Sequence, residues 1–144
     1  MTAKEFLKQY EYATHRAERL RLEYEREHEL IGSVRSTLGG DGMPHGSGVS
    51  RSVEDQAIRL ADKAMQWKVA EIDAIRIRQE VFDFIQAIPG IEGAVLCERY
   101  INLLTWEQVA ETLHYSTAGV YKIWKRAMII AEERLNHETV QDIG

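Results

Sequence analysis

Residues 105–127 read TWEQVAETLHYSTAGVYKIWKRA, and this stretch decides the architecture that the rest of the chain must fit. Two short helices joined by a tight turn bury apolar side chains at fixed offsets, whereas one amphipathic helix repeats them every three or four residues. The stretch follows the first pattern, with the small Ala110 where two helices would approach most closely. The predicted core of the motif is Val109, Ala110, Leu113, Tyr115, Val120 and Ile123.

Capping residues mark the ends of the two helices. Thr105 is suited to cap the first helix, whose first turn contains Glu107 and Gln108. Ser116 is suited to cap the second. His114 falls at the turn position that commonly needs a left-handed backbone, which His tolerates better than most residues other than Gly. The stretch therefore predicts a helix-turn-helix whose second helix starts at Ser116.

The second helix has a polar and basic face opposite the predicted core. In a helix-turn-helix this helix enters the DNA major groove, where its side chains contact base edges and phosphates. Lysines could donate to guanine or phosphate, Thr117 and Ala118 could contact thymine methyl groups, and the free amides at Ser116 could bind a phosphate. Arg126 is assigned to phosphate at the groove edge. The predicted DNA-binding residues are Ser116, Thr117, Ala118, Tyr121, Lys122, Lys125 and Arg126.

The competing interpretation is that residues 104–127 form two helices of an ordinary bundle. A generic helical pair does not require a small residue, a cap and this turn length together, so the motif is favoured. Trp106 and Trp124 are interpreted as packing residues rather than as residues that stack on bases, because aromatic rings at helical spacing usually fill cores. For Tyr121 both roles stay open.

The charge of the chain is unevenly distributed. A formal net charge of −5 argues against a general polyanion binder, because nonspecific nucleic-acid affinity comes from Lys and Arg that neutralise phosphates. Residues 104–127 nevertheless hold three basic side chains against two acidic ones, and all three lie in the last third. This placement fits a binding edge turned towards an anion, and it equally fits a solvated helix face.

The N-terminal part is predicted to form two long helices. Apolar residues recur every three or four positions over residues 2–31, and Thr2 with Glu5 fits a capping box. Residues 32–52 contain six of the ten glycines and one of the two prolines, which predicts a flexible loop. A second helix then runs to Ile88. Its predicted buried stripe is Ala57, Leu60, Ala64, Trp67, Ile72, Ile75, Phe82, Ile85 and Ile88.

The predicted fold is therefore all-α, with a long N-terminal antiparallel helical hairpin in residues 1–90 and a small helix-turn-helix domain in residues 91–144. The hairpin is the simplest way for two amphipathic helices to bury each other's stripes. Pairing of these helices with a second copy of the chain, which would give a homodimer, is the competing arrangement.

The stretch that leads into the motif, VLCERYINLLTWEQVA at residues 95–110, resembles the DNA-binding fourth region of bacterial sigma factors. The similarity continues through Lys125 and Arg126 and includes the helix before the motif. It implies contact with double-stranded DNA. Primary sigma factors carry Arg-Glu-Arg where this chain has Thr117, Ala118 and Gly119, so the promoter specificity of that family is not implied.

The whole layout resembles short regulators encoded by phages of Gram-positive bacteria, similar to late-transcription activators of the ArpU and RinA kind. The features that carry this resemblance are an N-terminal Met-Thr-Ala-Lys-Glu helix, a Gly/Ser loop, a long helix and a sigma-like end. The resemblance implies a regulator of phage late genes that binds a promoter or a packaging-adjacent region, with RNA polymerase as a candidate partner.

Catalysis, cofactors and membranes are not expected. Cys97 is the only cysteine, and the five histidines are scattered without a metal-binding spacing; His45, in the glycine-rich loop, is interpreted as solvated. The chain lacks the apolar run of a signal peptide, and no stretch approaches about 18 apolar residues. We therefore expect no enzymatic activity, no cofactor, no metal, no membrane contact, and a location in the cytoplasm of a bacterial host cell.

Three hypotheses follow. The first is a sequence-specific transcription regulator that reads the major groove with the helix starting at Ser116. The second is a small terminase subunit that recognises viral packaging DNA and assembles through its helical hairpin. The third is a sigma-like adaptor that binds RNA polymerase without DNA specificity of its own, a hypothesis motivated by the acidic balance of the chain.

Overall fold

The chain is all-α, as predicted. The computed structural model describes residues 1–38 and 47–143, and over these ranges it contains five helices and no strand. They are α1 (Ala3–Leu38), α2 (Ser47–Gln86), α3 (Gly90–Tyr100), α4 (Trp106–Leu113) and α5 (Thr117–Ile143). None of the described helices combines the length and apolar character that a membrane crossing requires.

The chain divides into two compact units. Unit 1 consists of Met1–Ala13 and Ala74–Gly144, and unit 2 of Thr14–Asp73. The division therefore does not fall at residue 90, where the sequence analysis placed the domain boundary. The reason is that the beginning of α1 and the end of α2 share one hydrophobic core with α3 and α5, so they belong to the C-terminal unit.

The core of unit 1 is formed by residues of α1, α2, α3 and α5. Leu7 of α1, Ile85 of α2 and Leu96 of α3 are almost completely excluded from solvent. On α5, Ala127 and Ala131 are fully buried and bring its backbone close to its neighbours. The rings of Phe6 on α1 and Phe84 on α2 are in contact, with their centroids 4.8 Å apart. Burial of each large apolar side chain contributes about 1.5–3 kcal/mol, so this cluster anchors the unit.

In unit 1 the two long helices run antiparallel. Phe6 lies against Phe84, and one turn further along α1 the guanidinium of Arg78 lies 6.0 Å from the centre of the Tyr10 ring. Residues later in α1 therefore contact residues earlier in α2, as expected for antiparallel helices.

Unit 2 contains the remaining parts of α1 and α2. The rings of Tyr24 and Trp67 lie 5.5 Å apart, and the Lys63 ammonium lies 3.3 Å from a carboxylate oxygen of Glu23 and 3.6 Å from one of Glu27. The ring contact and the two ion pairs join α1 to α2 within unit 2.

The glycine-rich segment is shorter than predicted. Residues 32–52 were predicted to form a loop, whereas α1 continues to Leu38 and α2 begins at Ser47. Residues 39–46, which include His45, lie outside the described residues. The prediction overestimated the effect of isolated glycines, because each costs a helix only about 1 kcal/mol, and propagation from a formed helix adds a hydrogen bond with every residue.

The buried stripe of α2 also differs from the prediction. Ala57, Ile72 and Ile75 were assigned to it, yet all three are exposed, the two isoleucines by 66% and 70%. From Trp67 the buried face continues instead through the small Ala70 and Ala74 to Val81. Helical spacing of three or four residues fixes this face, and it leaves the two isoleucines on the other side of the helix.

Candidate nucleic-acid interface

The turn between α4 and α5 has a left-handed residue where the sequence predicted one. His114 has φ 60° and ψ 44°. The His114 amide donates to the carbonyl of Glu111 at 3.3 Å, and the Tyr115 amide donates to that of Ala110 at 2.9 Å. This pair of bonds is a Schellman arrangement, which satisfies the last carbonyls of α4 and reverses the chain in three residues.

Side-chain caps fix the start of both helices. The Thr105 hydroxyl accepts from the Gln108 amide at 3.2 Å, and the Gln108 side chain accepts from the Thr105 amide at 2.9 Å, which completes a capping box. The Ser116 hydroxyl accepts from the Gly119 amide at 3.0 Å. Both predicted caps are confirmed, so hydrogen bonds between side chain and backbone define where α4 and α5 begin.

A small separate core holds the two helices together. Val109 and Val120 are fully buried, Ala110 and Ile123 nearly so, and Leu113 packs against them while half-buried. Val95 of α3 completes the cluster. Ala110 therefore occupies a buried position between the helices, as its small size predicted.

Tyr115 was predicted as part of this core, and that prediction is wrong. Its side chain is 46% exposed. It lies in the turn after the left-handed His114, outside both helices, and its ring lies near Gly119 instead. A Cβ at Gly119 would lie 3.1 Å from the Ser116 hydroxyl oxygen and 3.7 Å from the Tyr115 ring. The glycine thus makes room for the Ser116 cap, while the Tyr115 ring lies at ordinary contact distance.

Five of the predicted site residues form one exposed surface, which we call the α5 outer face: Thr117, Ala118, Tyr121, Lys122 and Lys125. The buried residues Val120 and Ile123 lie on the opposite side of the same helix. Ser116 is exposed at its beginning, where the first amides of α5 point out of the helix. The α5 outer face therefore combines two cations, a hydroxyl, a methyl group and a phenol.

Arg126 lies at the edge of this face and has an acidic partner. Its Nε is 3.3 Å from a carboxylate oxygen of Glu92 on α3, and its side chain is 59% exposed. An exposed ion pair of this kind contributes only about 0–1 kcal/mol, so the guanidinium can exchange the carboxylate for another anion at little cost. The assignment of Arg126 to phosphate stays a prediction.

Aromatic rings and cations alternate from α3 to α5. The Arg99 guanidinium lies 4.8 Å from the centre of the Trp106 ring, which meets Trp124 edge-on with centroids 5.7 Å apart. Tyr121 stacks on Trp124, also at 5.7 Å, and the Lys125 ammonium lies 4.8 Å from the centre of the Tyr121 ring. Both tryptophans pack against the hydrophobic clusters while staying partly exposed. Tyr121 is thus held in place by its neighbours.

Three cations near this series were not among the predicted site residues. Arg99 of α3 and Lys4 and Lys8 of α1 line the same small cleft as Tyr121 and Trp124. The lysines are far from α5 in the sequence, and no local pattern links them to it. The association follows only from the packing of the start of α1 against α3 and α5 within unit 1.

Two titratable groups on α3 have pKa values shifted by burial. Desolvation raises the pKa of the Tyr100 phenol above its ordinary value of 10.0, although the phenol oxygen accepts from the Trp124 indole at 3.0 Å. Desolvation also raises the pKa of the Cys97 thiol. A thiol with a raised pKa is a poor nucleophile. The parts of the chain that the structure describes contain no cluster of three or more side chains suited to a metal ion.

Comparison with known proteins adds no relative. No protein-family model, no curated protein and no solved structure matches this chain. The resemblance to sigma factors and to phage late-gene regulators therefore stays a prediction from the quoted residues.

Proposed function

We propose that the protein is a sequence-specific regulator of transcription that binds double-stranded DNA by placing the α5 outer face in the major groove. The observation that carries the proposal is the exposure of all five of its residues on a helix whose start is fixed by the His114 turn and the Ser116 cap. A helix held in this way can present side chains to base edges at constant spacing.

The chemistry of the face suits base readout. Lys122 and Lys125 can donate to the guanine acceptors O6 and N7 or to phosphate, and the methyl groups of Thr117 and Ala118 can contact thymine. The first amides of α5, beside Ser116, suit a backbone phosphate, because the positive end of the helix dipole lies there. Phage late genes are the proposed target class, on the resemblance of the layout.

The test is binding of wild-type protein to labelled fragments of the source genome, measured by fluorescence anisotropy against an excess of competitor DNA. We expect one or a few fragments to bind preferentially. Replacing Lys122 and Lys125 together by Ala should remove that preference, because each good bidentate base contact contributes about 1–3 kcal/mol of discrimination.

The matched control replaces Arg16 and Arg19 by Ala, which removes the same charge from exposed positions of α1 in unit 2. This variant should keep the preference. If the Lys122/Lys125 variant binds every fragment as tightly as the wild-type protein does, the proposal is rejected. Capture of RNA polymerase without any salt-sensitive DNA binding would favour the adaptor function instead.

We also propose that the protein acts as a homodimer through the outer side of α2. Ile58, Met65 and Ile72 follow one another at seven-residue steps and are 61%, 62% and 66% exposed, and Val69 beside them is 49% exposed. Seven-residue repetition of exposed apolar side chains is the pattern that pairs one helix with a second copy of itself. A symmetric dimer would read two half-sites.

Sedimentation tests the assembly. A dimer supports a transcription regulator with two half-sites, and a monomer rejects the proposed pairing. A ring of eight or more subunits would favour the packaging function, since small terminase subunits act as rings.

A further inference from the structure

A small cleft of about 150 Å³ lies in unit 1 beside the α5 outer face. Its walls come from four helices: α1, α3, α4 and α5. It shares Tyr121 with the α5 outer face, and none of the described residues that line it is acidic. We call it the cation–aromatic cleft, lined by Lys4, Lys8, Arg99, Tyr100, Trp106, Tyr121 and Trp124.

The two lysines are placed by the backbone of a firmly docked helix start. Thr2 and Glu5 form a capping box through bonds of 3.0 and 3.2 Å, and the Ala3 amide donates to a carboxylate oxygen of Glu132 on α5 at 2.9 Å. Ala3 and, one helical turn later, Leu7 are fully buried. Lys4 and Lys8 are one turn apart and therefore share a face of α1.

The charge of these lysines is not neutralised locally. Within the described ranges, neither ammonium has a carboxylate within 4.0 Å. These two ammonium groups and the Arg99 guanidinium concentrate positive charge at the cleft in a chain whose overall charge is negative, and Glu11 is the acidic group that acts electrostatically on the cleft residue Tyr100.

Arg99 is the third cation, and its guanidinium is held rigidly. One Nη1–H donates to the Leu104 carbonyl at 2.7 Å, and the guanidinium plane lies against the Trp106 ring. A guanidinium has five N–H donors, so others are left for a ligand. A guanidinium fixed on both sides binds a phosphate with little further loss of side-chain entropy.

We propose that the cation–aromatic cleft holds a backbone phosphate of the DNA whose major groove the α5 outer face reads. This inference rests on the proposed function. The cleft is smaller than the roughly 300–1,000 Å³ of ordinary small-molecule sites, so it suits a single phosphate group. It adjoins Tyr121, and a duplex in contact with that residue has its sugar-phosphate backbone at the edge of the groove, where phosphate contacts fix the register.

The consequence is that the start of α1 belongs to the DNA-binding surface. Lys4, Lys8 and Arg99 supply affinity without sequence information, whereas Lys122 and Lys125 supply discrimination. The two groups are therefore separable by experiment.

The test compares the salt dependence of DNA binding in wild-type protein and in a variant with Lys4→Gln and Lys8→Gln. The slope of log K against log salt falls by about 0.9 for each phosphate no longer neutralised. We expect the variant to reduce the slope by about 0.9, the value for one phosphate, to weaken binding to all fragments equally, and to keep the preference between fragments. The same substitutions to Arg should preserve the wild-type slope.

The matched control carries Arg16→Gln and Arg19→Gln, which changes the net charge equally, and it should keep the wild-type slope. Wild-type binding with an unchanged slope in the Lys4/Lys8 variant overturns this inference and leaves the proposed function standing. Loss of fragment preference in that variant also overturns it. Absence of any wild-type DNA binding rejects the proposed function and this inference together.

A free anion or an acidic protein surface would bind the same cations, and two further measurements distinguish these ligands from DNA. Titration with inorganic phosphate, followed by tryptophan fluorescence in a Trp67→Phe background in which only Trp106 and Trp124 emit, should show no saturation below millimolar concentration. Saturation at lower concentration, abolished in the Lys4/Lys8 variant, would assign the cleft to a free anion and overturn the proposal. The proposal would also be overturned if the Lys4/Lys8 variant lost the capture of RNA polymerase while its DNA binding stayed unchanged.

Discussion

His114 shows how one residue sets the direction of a whole helix. It is exposed and makes its contribution through its backbone, which places the last amides of the turn against the carbonyls of Ala110 and Glu111. A residue with a Cβ pays for this left-handed conformation in steric energy, and His does so less than most. Leu103 adopts φ 56° in the same way after α3, and there the sequence offered no comparable signal.

Substitution of His114 should separate backbone strain from side-chain contacts. We expect His114→Val to lower the free energy of unfolding by about 1–3 kcal/mol, because a β-branched side chain is poorly tolerated at positive φ. His114→Gly should change it by less than about 1 kcal/mol, since relief of strain is offset by the greater freedom of Gly in the unfolded chain. Urea unfolding measures both. Thr112→Val, at an exposed position of α4, should be nearly neutral; equal losses for the two valine variants would refute the assigned role.

At the scale of the element, α2 differs from an ordinary amphipathic helix because apolar residues lie on both of its sides. One side carries the buried Ala70, Ala74 and Val81, and the other carries the exposed Ile58, Met65 and Ile72. Apolar side chains that stay in contact with water contribute no hydrophobic stabilisation. Burying them in an interface stabilises the dimer by about 25 cal/mol per Å² of apolar surface. This is the physical basis of the proposed dimer.

Substitution on the exposed stripe should change assembly and leave the fold intact. Met65→Glu with Ile72→Glu should convert the dimer to a monomer, because like charges would face each other at the centre of the interface. Sedimentation velocity gives the mass, and circular dichroism should be unchanged because both positions are exposed. Gln66→Glu, also exposed on α2 but off the stripe, is the control and should stay dimeric. A double variant that remains dimeric would place the interface elsewhere.

At the scale of the whole molecule, unit 1 joins segments from both ends of the chain into one core, and its stability should depend on pH at the alkaline end. Burial raises the pKa of Tyr100 above 10.0, so the folded state holds its proton more tightly than the unfolded state. The stabilisation is therefore complete below about pH 10 and is lost as the pH rises through the folded-state pKa.

Thermal unfolding at a series of pH values from 8 to 11 measures this loss. We expect the wild-type melting temperature to fall more steeply above about pH 10 than that of Tyr100→Phe, which has no phenol to titrate. The variant should be less stable at neutral pH by about 1 kcal/mol, because the Trp124 indole loses its acceptor. Parallel curves for the two proteins would contradict the raised pKa.

The sequence by itself determined the all-α class, the two caps, the left-handed turn at His114 and the buried positions of Val109, Ala110, Val120 and Ile123. These features depend on local hydrogen bonding and on helical periodicity, which neighbouring residues encode. The tertiary structure alone decided which long-range partners meet. It placed Tyr115 outside the core, turned Ile72 and Ile75 outwards, and brought Lys4 and Lys8 to Arg99. Such outcomes depend on which helices compete for the same surface, and that competition is settled only when the whole chain packs.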